Sequence, residues 1–366
     1  MSEAPLILLA AGGTGGHLFP AEAVAASLLR RGFRVRLATD ARALRYSGLF
    51  TPDMIDVVPS ATVQGRSPVA LARTAITIIS GLSVAYGLMR RLRPAAVVGF
   101  GGYPTLPPVL AARFAKIPTI VHDANAVIGR ANRFLARRAD AIATSLPGVL
   151  DAEPKLAARV TMTGMPLRPA VLAAADVPYD PPVAGGPLRL LVVGGSQGAR
   201  IMADVVPPAI ERLEPALWSR LLLVQQVRAE DMDRVRTLYD RLKIRAELAP
   251  FFTDLPARLA ASHLVVSRSG AGTVAELAAV GRPSILVPLP GALDQDQFAN
   301  AGVLEKAGGA LRIVQADFTP DRLAAEISAL AAEPARLAGM AEAARAIGRS
   351  DAAERLAELI ARVAKG

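Results

Sequence analysis

The sequence predicts an α/β protein made of two parallel-sheet domains, and three observations carry that reading. Short, continuous apolar runs of strand length alternate with helical patterns, as parallel strands buried on both faces require. The series stops at a Pro- and Gly-rich stretch, residues 178–187 (PYDPPVAGGP), and then begins again. Both series also open alike: residues 6–11 (LILLAA) run into GGTGG at 12–16, and residues 188–193 (LRLLVV) run into GGSQG at 194–198. Two similar sheet domains, each starting with a strand and a glycine loop, are expected to bind ligand in the cleft between them, beyond the carboxyl ends of the strands.

In the first series the strand-length runs are residues 5–10, 34–38, 95–99, 119–122 and 141–144, with helical patterns at 21–31 and 106–115. In the second they are residues 188–193, 220–225, 264–267, 284–287 and 310–313. Residues 351–365 read as an amphipathic helix opened by a capping box, Asp351 with Glu354.

A chain of 366 residues is comfortable for two domains. Its composition, 52% hydrophobic and 4% aromatic, is that of a globular protein and not of a disordered one. The absence of cysteine excludes disulfides and thiolate metal sites and suits a reducing compartment. No basic residue precedes the apolar run at 6–11, which leads straight into a glycine loop, so no secretion signal is read and a cytosolic protein is expected.

The formal charge of +10 is concentrated. Residues 60–145 carry eleven Arg or Lys against only Asp123 and Asp140. A basic face implies a polyanion, nucleic acid or anionic lipid, unless it is simply a solvated arginine-rich surface. Residues 74–89 (TAITIISGLSVAYGLM) hold no charge and are flanked by Arg73, Arg90, Arg91 and Arg93. That run falls short of the roughly 18–20 apolar residues a spanning helix needs. It reads either as a core helix or as one that dips its apolar side into a bilayer while arginines grip headgroups. Aromatic residues are not interleaved with the basic ones, so nucleic acid fits less well. The expected partner of residues 74–93 is an anionic membrane surface.

Glycine loops between a strand and a helix suit phosphate, because backbone N–H groups approach closely and the helix start is electropositive. Two such loops, with a third at 99–102, point to more than one phosphate-bearing ligand. Neither is the dinucleotide fingerprint, since Leu18 stands where a third glycine belongs, although Asp40 keeps a nicotinamide enzyme open. His17 follows the first loop at a helix start, which disfavours a second proton. It is either a general base or a histidine that binds phosphate or caps the helix. With only His17, His122 and His263 and no HExxH, a histidine metal site is not expected. Asp294 and Asp296 resemble the acidic pair of metal-dependent sugar transferases, but read better as an exposed loop. Glu276 closes a capping box with Thr273, or holds the paired hydroxyls of a ribose.

Taken in order, Gly12 to Pro20 (GGTGGHLFP), Gly101-Gly102-Tyr103, HDAN at 122–125, GMPLR at 164–168, GGSQGA at 194–199, SRSG at 267–270 with Glu276, and QFAN at 297–300 form a specific set. The chain resembles the MurG family, the UDP-N-acetylglucosamine transferases that complete the lipid-linked disaccharide of peptidoglycan. The resemblance implies the GT-B fold, two Rossmann-like domains with parallel sheets facing across a cleft: residues 1–163 as acceptor- and membrane-binding domain, 164–344 as UDP-sugar domain, and 345–366 as a helix returning to the first. It implies metal-independent, inverting transfer without a cofactor, from UDP-GlcNAc to undecaprenyl-diphospho-MurNAc-pentapeptide (lipid I), giving lipid II. The enzyme would work as a peripheral protein on the cytoplasmic side of the bacterial inner membrane. Matched positions place Arg168 and Ser196 near the donor diphosphate, Phe252 beside uracil, Glu276 on the ribose, and Asn125 and Gln297 on the transferred sugar. Gly13, Thr14, Gly15 and Gly16, with Gly102 and Tyr103, would face the acceptor diphosphate, and Thr14 to Gly16 would also reach the donor. His17 would be the base. The chain departs from the family's His-Glu-Gln-Asn at Asp123 and Ala124 and in the loop around Gln295 and Gln297. A UDP-GlcNAc epimerase or a diacylglycerol glycosyltransferase on the same fold are the rival enzymes, and a non-catalytic membrane adapter the rival of another class.

Overall fold

The computed structural model describes residues 4–12, 15–41, 48–60, 68–195, 198–291 and 295–365. Two compact units emerge: Met1–Arg168 with Asp351–Gly366, and Pro169–Ser350. Gly13, Thr14 and Ser196 lie outside the described residues, as does Asp294.

The first unit contains β1 (Leu6–Ala10), β2 (Arg34–Thr39), β3 (Ile55–Val57), β4 (Ala96–Gly99), β5 (Thr119–Asp123), β6 (Ala141–Thr144) and β7 (Val160–Met162). They form one sheet in the order β3-β2-β1-β4-β5-β6-β7, with every neighbouring pair parallel. The central strand shows why its sequence is apolar throughout. Ile7 and Leu9 pack with Leu18, Val24 and Leu28 of the helix Gly15–Arg30 and with Leu356 and Ile360 of the helix Ala352–Ala364. Leu8 and Ala10 point the other way, onto Ala85, Leu88 and Met89 of the helix Pro68–Leu92 and Val109 of the helix Leu106–Phe114. With side chains alternating at a period of two, helices on both faces demand a hydrophobic residue at each position.

The second unit repeats the plan with β8 (Leu188–Val193), β9 (Leu221–Gln226), β10 (Arg245–Ala249), β11 (Leu264–Ser267), β12 (Ser284–Leu286) and β13 (Ala310–Arg312), in the order β10-β9-β8-β11-β12-β13. Both sheets follow the doubly wound 3-2-1-4-5-6 order, so the direction of winding reverses between β1 and β4 in one unit and between β8 and β11 in the other. Such reversal points are where open α/β sheets bind ligand. The parallel-sheet α/β class read from the sequence is the class observed.

Three strands are not visible in the sequence pattern. β3 and β7 have three residues each, and the edge strand β10 (RAELA) carries Arg245 and Glu247. The first helix starts at Gly15, six residues ahead of the periodic pattern, and contains Pro20. Neither capping box forms. The helix Ala271–Val280 begins at Ala271 with Gly270 as its N-cap, which places Thr273 inside the helix. At the tail, the Asp351 carboxylate accepts from Arg355 Nε at 2.6 Å, while Glu354 accepts from Arg30 at 2.6 Å and Arg31 at 3.0 Å. Guanidinium groups outcompete the backbone N–H groups for both carboxylates.

The largest fully buried side chain among the described residues is charged. Arg282 is fully buried, and its guanidinium donates to the carbonyls of Leu259 (3.1 Å), Ala260 (2.6 Å), Val280 (2.7 Å), Gly281 (3.1 Å) and Val177 (3.3 Å). Leu259 and Ala260 lie in the last turn of the helix Leu255–Ala261, and Val280 ends Ala271–Val280, so negative helix ends converge on the cation. Burial pulls its pKa down to about 10, which still leaves it charged at neutral pH. Arg282→Met leaves these carbonyls short of donors. It is expected to cost the second unit about 3 kcal/mol, read as a lower urea midpoint for that unit with the first unit's transition unmoved.

Candidate active site

In the first unit, the loops leaving β1 and β4 meet at the reversal point. His17 lies in the first turn of Gly15–Arg30, and its ring rests on bare backbone. A Cβ on Gly12 would stand 3.2 Å from its Nδ1, one on Gly101 3.2 Å from its Cδ2, and one on Gly102 3.4 Å from its Cε1. Gly101 and Gly102 also have φ of 94° and 78°, a left-handed backbone that side chains disfavour. Glycine is thus required twice over, for conformation and for closeness to the imidazole. Gly15 and Gly16 open the helix, so their N–H groups are among those the helix itself leaves unpaired. Tyr103 follows in a short turn, 36% exposed.

At the end of β5, His122 is buried, with Nε2 3.4 Å from the Gly164 carbonyl and 3.2 Å from Ser145 Oγ. The carbonyl requires Nε2 to carry the proton. Burial, opposed by the Gly164 bond and aided by the neighbouring His17, pulls the His122 pKa down to about 4. Asp123, where the chain departs from the family pattern, spends its carboxylate on its own loop. It accepts from the backbone N–H of Asn125 (3.0 Å) and Gly129 (3.0 Å) and from Asn132 Nδ2 (2.8 Å). Asn132 also donates to the His122 carbonyl at 3.0 Å, and a Cβ on Gly101 would lie 3.3 Å from its Nδ2. The β5 loop bearing Asn125 is therefore fastened to the glycine wall that faces His17. Arg168, the last residue of this unit's first segment, stacks 4.4 Å from the Phe19 ring centre. It stands with the first glycine loop.

In the second unit the loop leaving β8 is anchored from β9. Gly194 N–H donates to Gln226 Oε1 at 2.9 Å, and Gln226 Nε2 donates to the Pro250 carbonyl at 3.1 Å. A Cβ on Gly194 would fall 2.2 Å from Ala199 N, so only glycine fits. Beyond β11, Ser269 Oγ donates to the Gln297 carbonyl (2.8 Å), Asn300 Nδ2 donates to the Ser269 carbonyl (3.2 Å), and Gln297 Oε1 accepts from Leu289 N–H (3.0 Å). Glu276 is half-buried in the second turn of Ala271–Val280. Phe252 is 7% exposed beneath Arg258, whose guanidinium lies 4.3 Å from its ring, whereas the adjacent Phe251 is 61% exposed. Asp296 opens a helix and accepts from Gln297 N–H at 2.7 Å. Among the described residues no group of three His, Asp or Glu side chains is placed to hold a metal ion.

Of the expected site residues, His17, Gly15, Gly16, Gly102, Tyr103, Asn125 and Arg168 lie in the first unit, and Phe252, Glu276 and Gln297 in the second. Supporting residues that sequence reasoning passes over are Asn132 and Gln226, which carry no local signal, and Phe251, flagged only by the aromatic doublet.

Two family models cover most of the chain: the glycosyltransferase family 28 N-terminal domain over residues 7–144 and the family's C-terminal domain over residues 189–356. The chain belongs to glycosyltransferase family 28. Family 28 relatives include a protein of Bradyrhizobium sp. (strain BTAi1 / ATCC BAA-1182), 75% identical over 99% of both chains, and one of Rhodopseudomonas palustris (strain BisB18), 74% identical over 99% of this chain and 96% of that one. Both are named UDP-N-acetylglucosamine–N-acetylmuramyl-(pentapeptide) pyrophosphoryl-undecaprenol N-acetylglucosamine transferase, so within family 28 the chain belongs to the MurG family. The crystal structure of Acinetobacter baumannii MurG is similar at 28% identity, with a TM-score of 0.77 over 98% of this chain and 99% of that one. A UDP-GlcNAc 2-epimerase from Neisseria meningitidis, at 13% identity and TM-score 0.67 over 98% and 100% of the chains, shares the fold.

His122 gives the first unit a pH dependence. Its folded pKa of about 4 lies below the unfolded value of 6.5, so the unfolded chain binds more protons between those limits. Stability is full above about pH 6.5 and declines as pH falls toward 4, by up to about 3 kcal/mol from this group. Urea unfolding at pH 7.5, 5.5 and 4.5 should show that slope, and His122→Gln should flatten it.

Proposed function

We propose that this enzyme transfers N-acetylglucosamine from UDP-GlcNAc to lipid I, with inversion, forming lipid II for peptidoglycan. The observation that carries the reading is full-length identity of 71–75% to transferases named for that reaction. The second unit holds the nucleotide sugar: Glu276 binds the ribose hydroxyls, Ser196 the diphosphate, and Gln297 the transferred sugar. For the base, exposure favours the face of Phe251 and the backbone beside Phe252. The first unit holds the acceptor, with Gly13 to Gly16, Gly102 and Tyr103 at its diphosphate and Asn125 toward the sugar.

In the reaction the acceptor hydroxyl oxygen attacks the anomeric carbon, the bond from that carbon to the UDP oxygen breaks, and the hydroxyl proton passes to His17. Backbone N–H groups at helix starts, with the Arg168 guanidinium, stabilise the charge gathering on UDP. The glycine bed supports this role for His17, since it fixes the position of the ring. Radiolabelled UDP-GlcNAc offered with lipid I should yield labelled lipid II, and His17→Ala should lower kcat at least ~100-fold at unchanged thermal stability. Epimer formed from UDP-GlcNAc alone, with no lipid product, would sink the reading.

We further infer a peripheral seat on the cytoplasmic face of the inner membrane, in the service of cell-wall growth. No helix among the described residues is long and apolar enough to cross a membrane. The helix Pro68–Leu92 buries Ala85, Leu88 and Met89 yet exposes Ile76 and Ile79 at 67% each and Val84 at 44%. Exposed Arg90 and Arg93 border that face, while Arg91 is already paired with Asp56 at 2.9 Å. Isoleucines held out to solvent beside arginines suit a bilayer surface. Sedimentation with anionic vesicles should show binding that weakens in high salt, and joint replacement of Ile76, Ile79, Arg90 and Arg93 by Ser should abolish it. Binding unaffected by that change would refute the patch.

A further inference from the structure

We infer that Arg228 is a positioning residue for the donor: it fixes the peptide that joins the second glycine loop to its helix, the helix start that serves the diphosphate of the nucleotide sugar. The inference deepens the proposed function and rests on it. Arg228 stands two residues past the end of β9 and reaches the loop that leaves β8. Its Nη2 donates to the Gly198 carbonyl at 3.1 Å. A Cβ on Gly198 would lie 3.1 Å from Arg228 Cγ, so the arginine stem packs closely on the glycine as well. The same peptide also packs against Gly194, where a Cβ would fall 2.2 Å from Ala199 N and 2.7 Å from the Gly198 carbonyl carbon. Nothing else holds the guanidinium as firmly. Its Nε is buried without a hydrogen-bond partner, and Glu230, 67% exposed, lies 3.7 Å from Nη1, beyond hydrogen-bond range.

The need for a lock follows from the glycine. Gly198 has a φ of 67°, and glycine visits positive and negative φ about equally, so by itself the peptide after it is poorly fixed. Because a peptide is planar, holding its carbonyl also sets the N–H of Ala199, the N-cap of the helix Arg200–Glu211. A carbonyl oxygen turned toward a phosphate repels it, and the guanidinium on Gly198 keeps that oxygen occupied. The other end of the loop is already framed: Gly194 N–H donates to Gln226 Oε1 at 2.9 Å, and Gly198 N–H to the Gly195 carbonyl at 3.0 Å. Arg228 completes the frame, so the loop is ordered before the diphosphate arrives and the cost of ordering it on binding falls.

UDP and uridine differ only in their phosphates, so comparing their binding to the full-length protein isolates this end of the donor. Arg228→Met keeps the stem on Gly198 and loses the donor group. It should raise the Kd for UDP roughly five- to twentyfold, the span of one hydrogen bond from a charged group, and leave that for uridine within about twofold. KM for UDP-GlcNAc should rise in step, with KM for the lipid-linked acceptor unchanged. Arg228→Lys retains a cation that can donate to the same carbonyl and should bind UDP within about threefold of wild type. Arg228→Gln ends near the place of Nε and falls short of the carbonyl, so it should match Arg228→Met and serves if that variant does not fold. An unchanged Kd for UDP in Arg228→Met and Arg228→Gln would overturn the role of Arg228. Equal losses for UDP and uridine would mean a general distortion of the pocket and overturn the assignment to the diphosphate. Wild-type protein that binds neither UDP nor UDP-GlcNAc would instead overturn the proposed reaction, so the two failures are distinguishable.

Discussion

A parallel sheet brings the carboxyl ends of all its strands to one edge, and where the winding reverses, adjacent connections leave toward opposite faces and no helix covers the gap. Much of what is particular about this chain follows from that constraint. The gap is lined by backbone because the two loops that border it must pass close to each other. In the first unit they carry Gly12, Gly101 and Gly102, and the space their missing side chains leave is taken by His17. In the second, Gly194 folds back on Ala199 with no room for a Cβ. Bare amide groups beside a helix start form an anion site without spending any charged side chain on it.

The two units solve the problem of rigidity in different ways. The first ties its loops with side chains from neighbouring strand ends: Asp123 and Asn132 knit the β5 loop, and His122 bonds to Gly164. The second reaches across from β9, where Gln226 holds the glycine loop on one side and the Pro250 carbonyl on the other. In both units these side chains are buried or half-buried and bond to the loops they support, so the loops gain definition. Asp123 brings a charge, and its carboxylate is met by three N–H donors.

How far the sequence foretells this depends on whether the cause is local. Strands buried on both faces announce themselves, since every residue from Leu6 to Ala10 must be apolar, and the glycine loops follow directly from them. Short edge strands do not: β10 pairs along one side only and tolerates Arg245 and Glu247. The two expected capping boxes fail for different reasons: one helix starts ahead of Thr273, at Ala271, and at the other Arg30 and Arg31 claim Glu354 over a distance no local pattern reveals. Of the site, the glycines and His17 are legible because strand, loop and helix are contiguous around them. The supports of the site are not. Asn132 under Gly101 and Phe19 under Arg168 are brought together by the fold alone.

The carbonyl cage around Arg282 has a consequence for how the second unit comes apart. No single helix owns it: the acceptors come from the ends of Leu255–Ala261 and Ala271–Val280 and from Val177, beyond the helix Pro169–Ala175. Peeling away any one of these segments exposes a dry guanidinium to partial desertion, a state costlier than either full assembly or full hydration. The segments are thereby yoked into a single cooperative block, and amide exchange across all three should be governed by the same opening event.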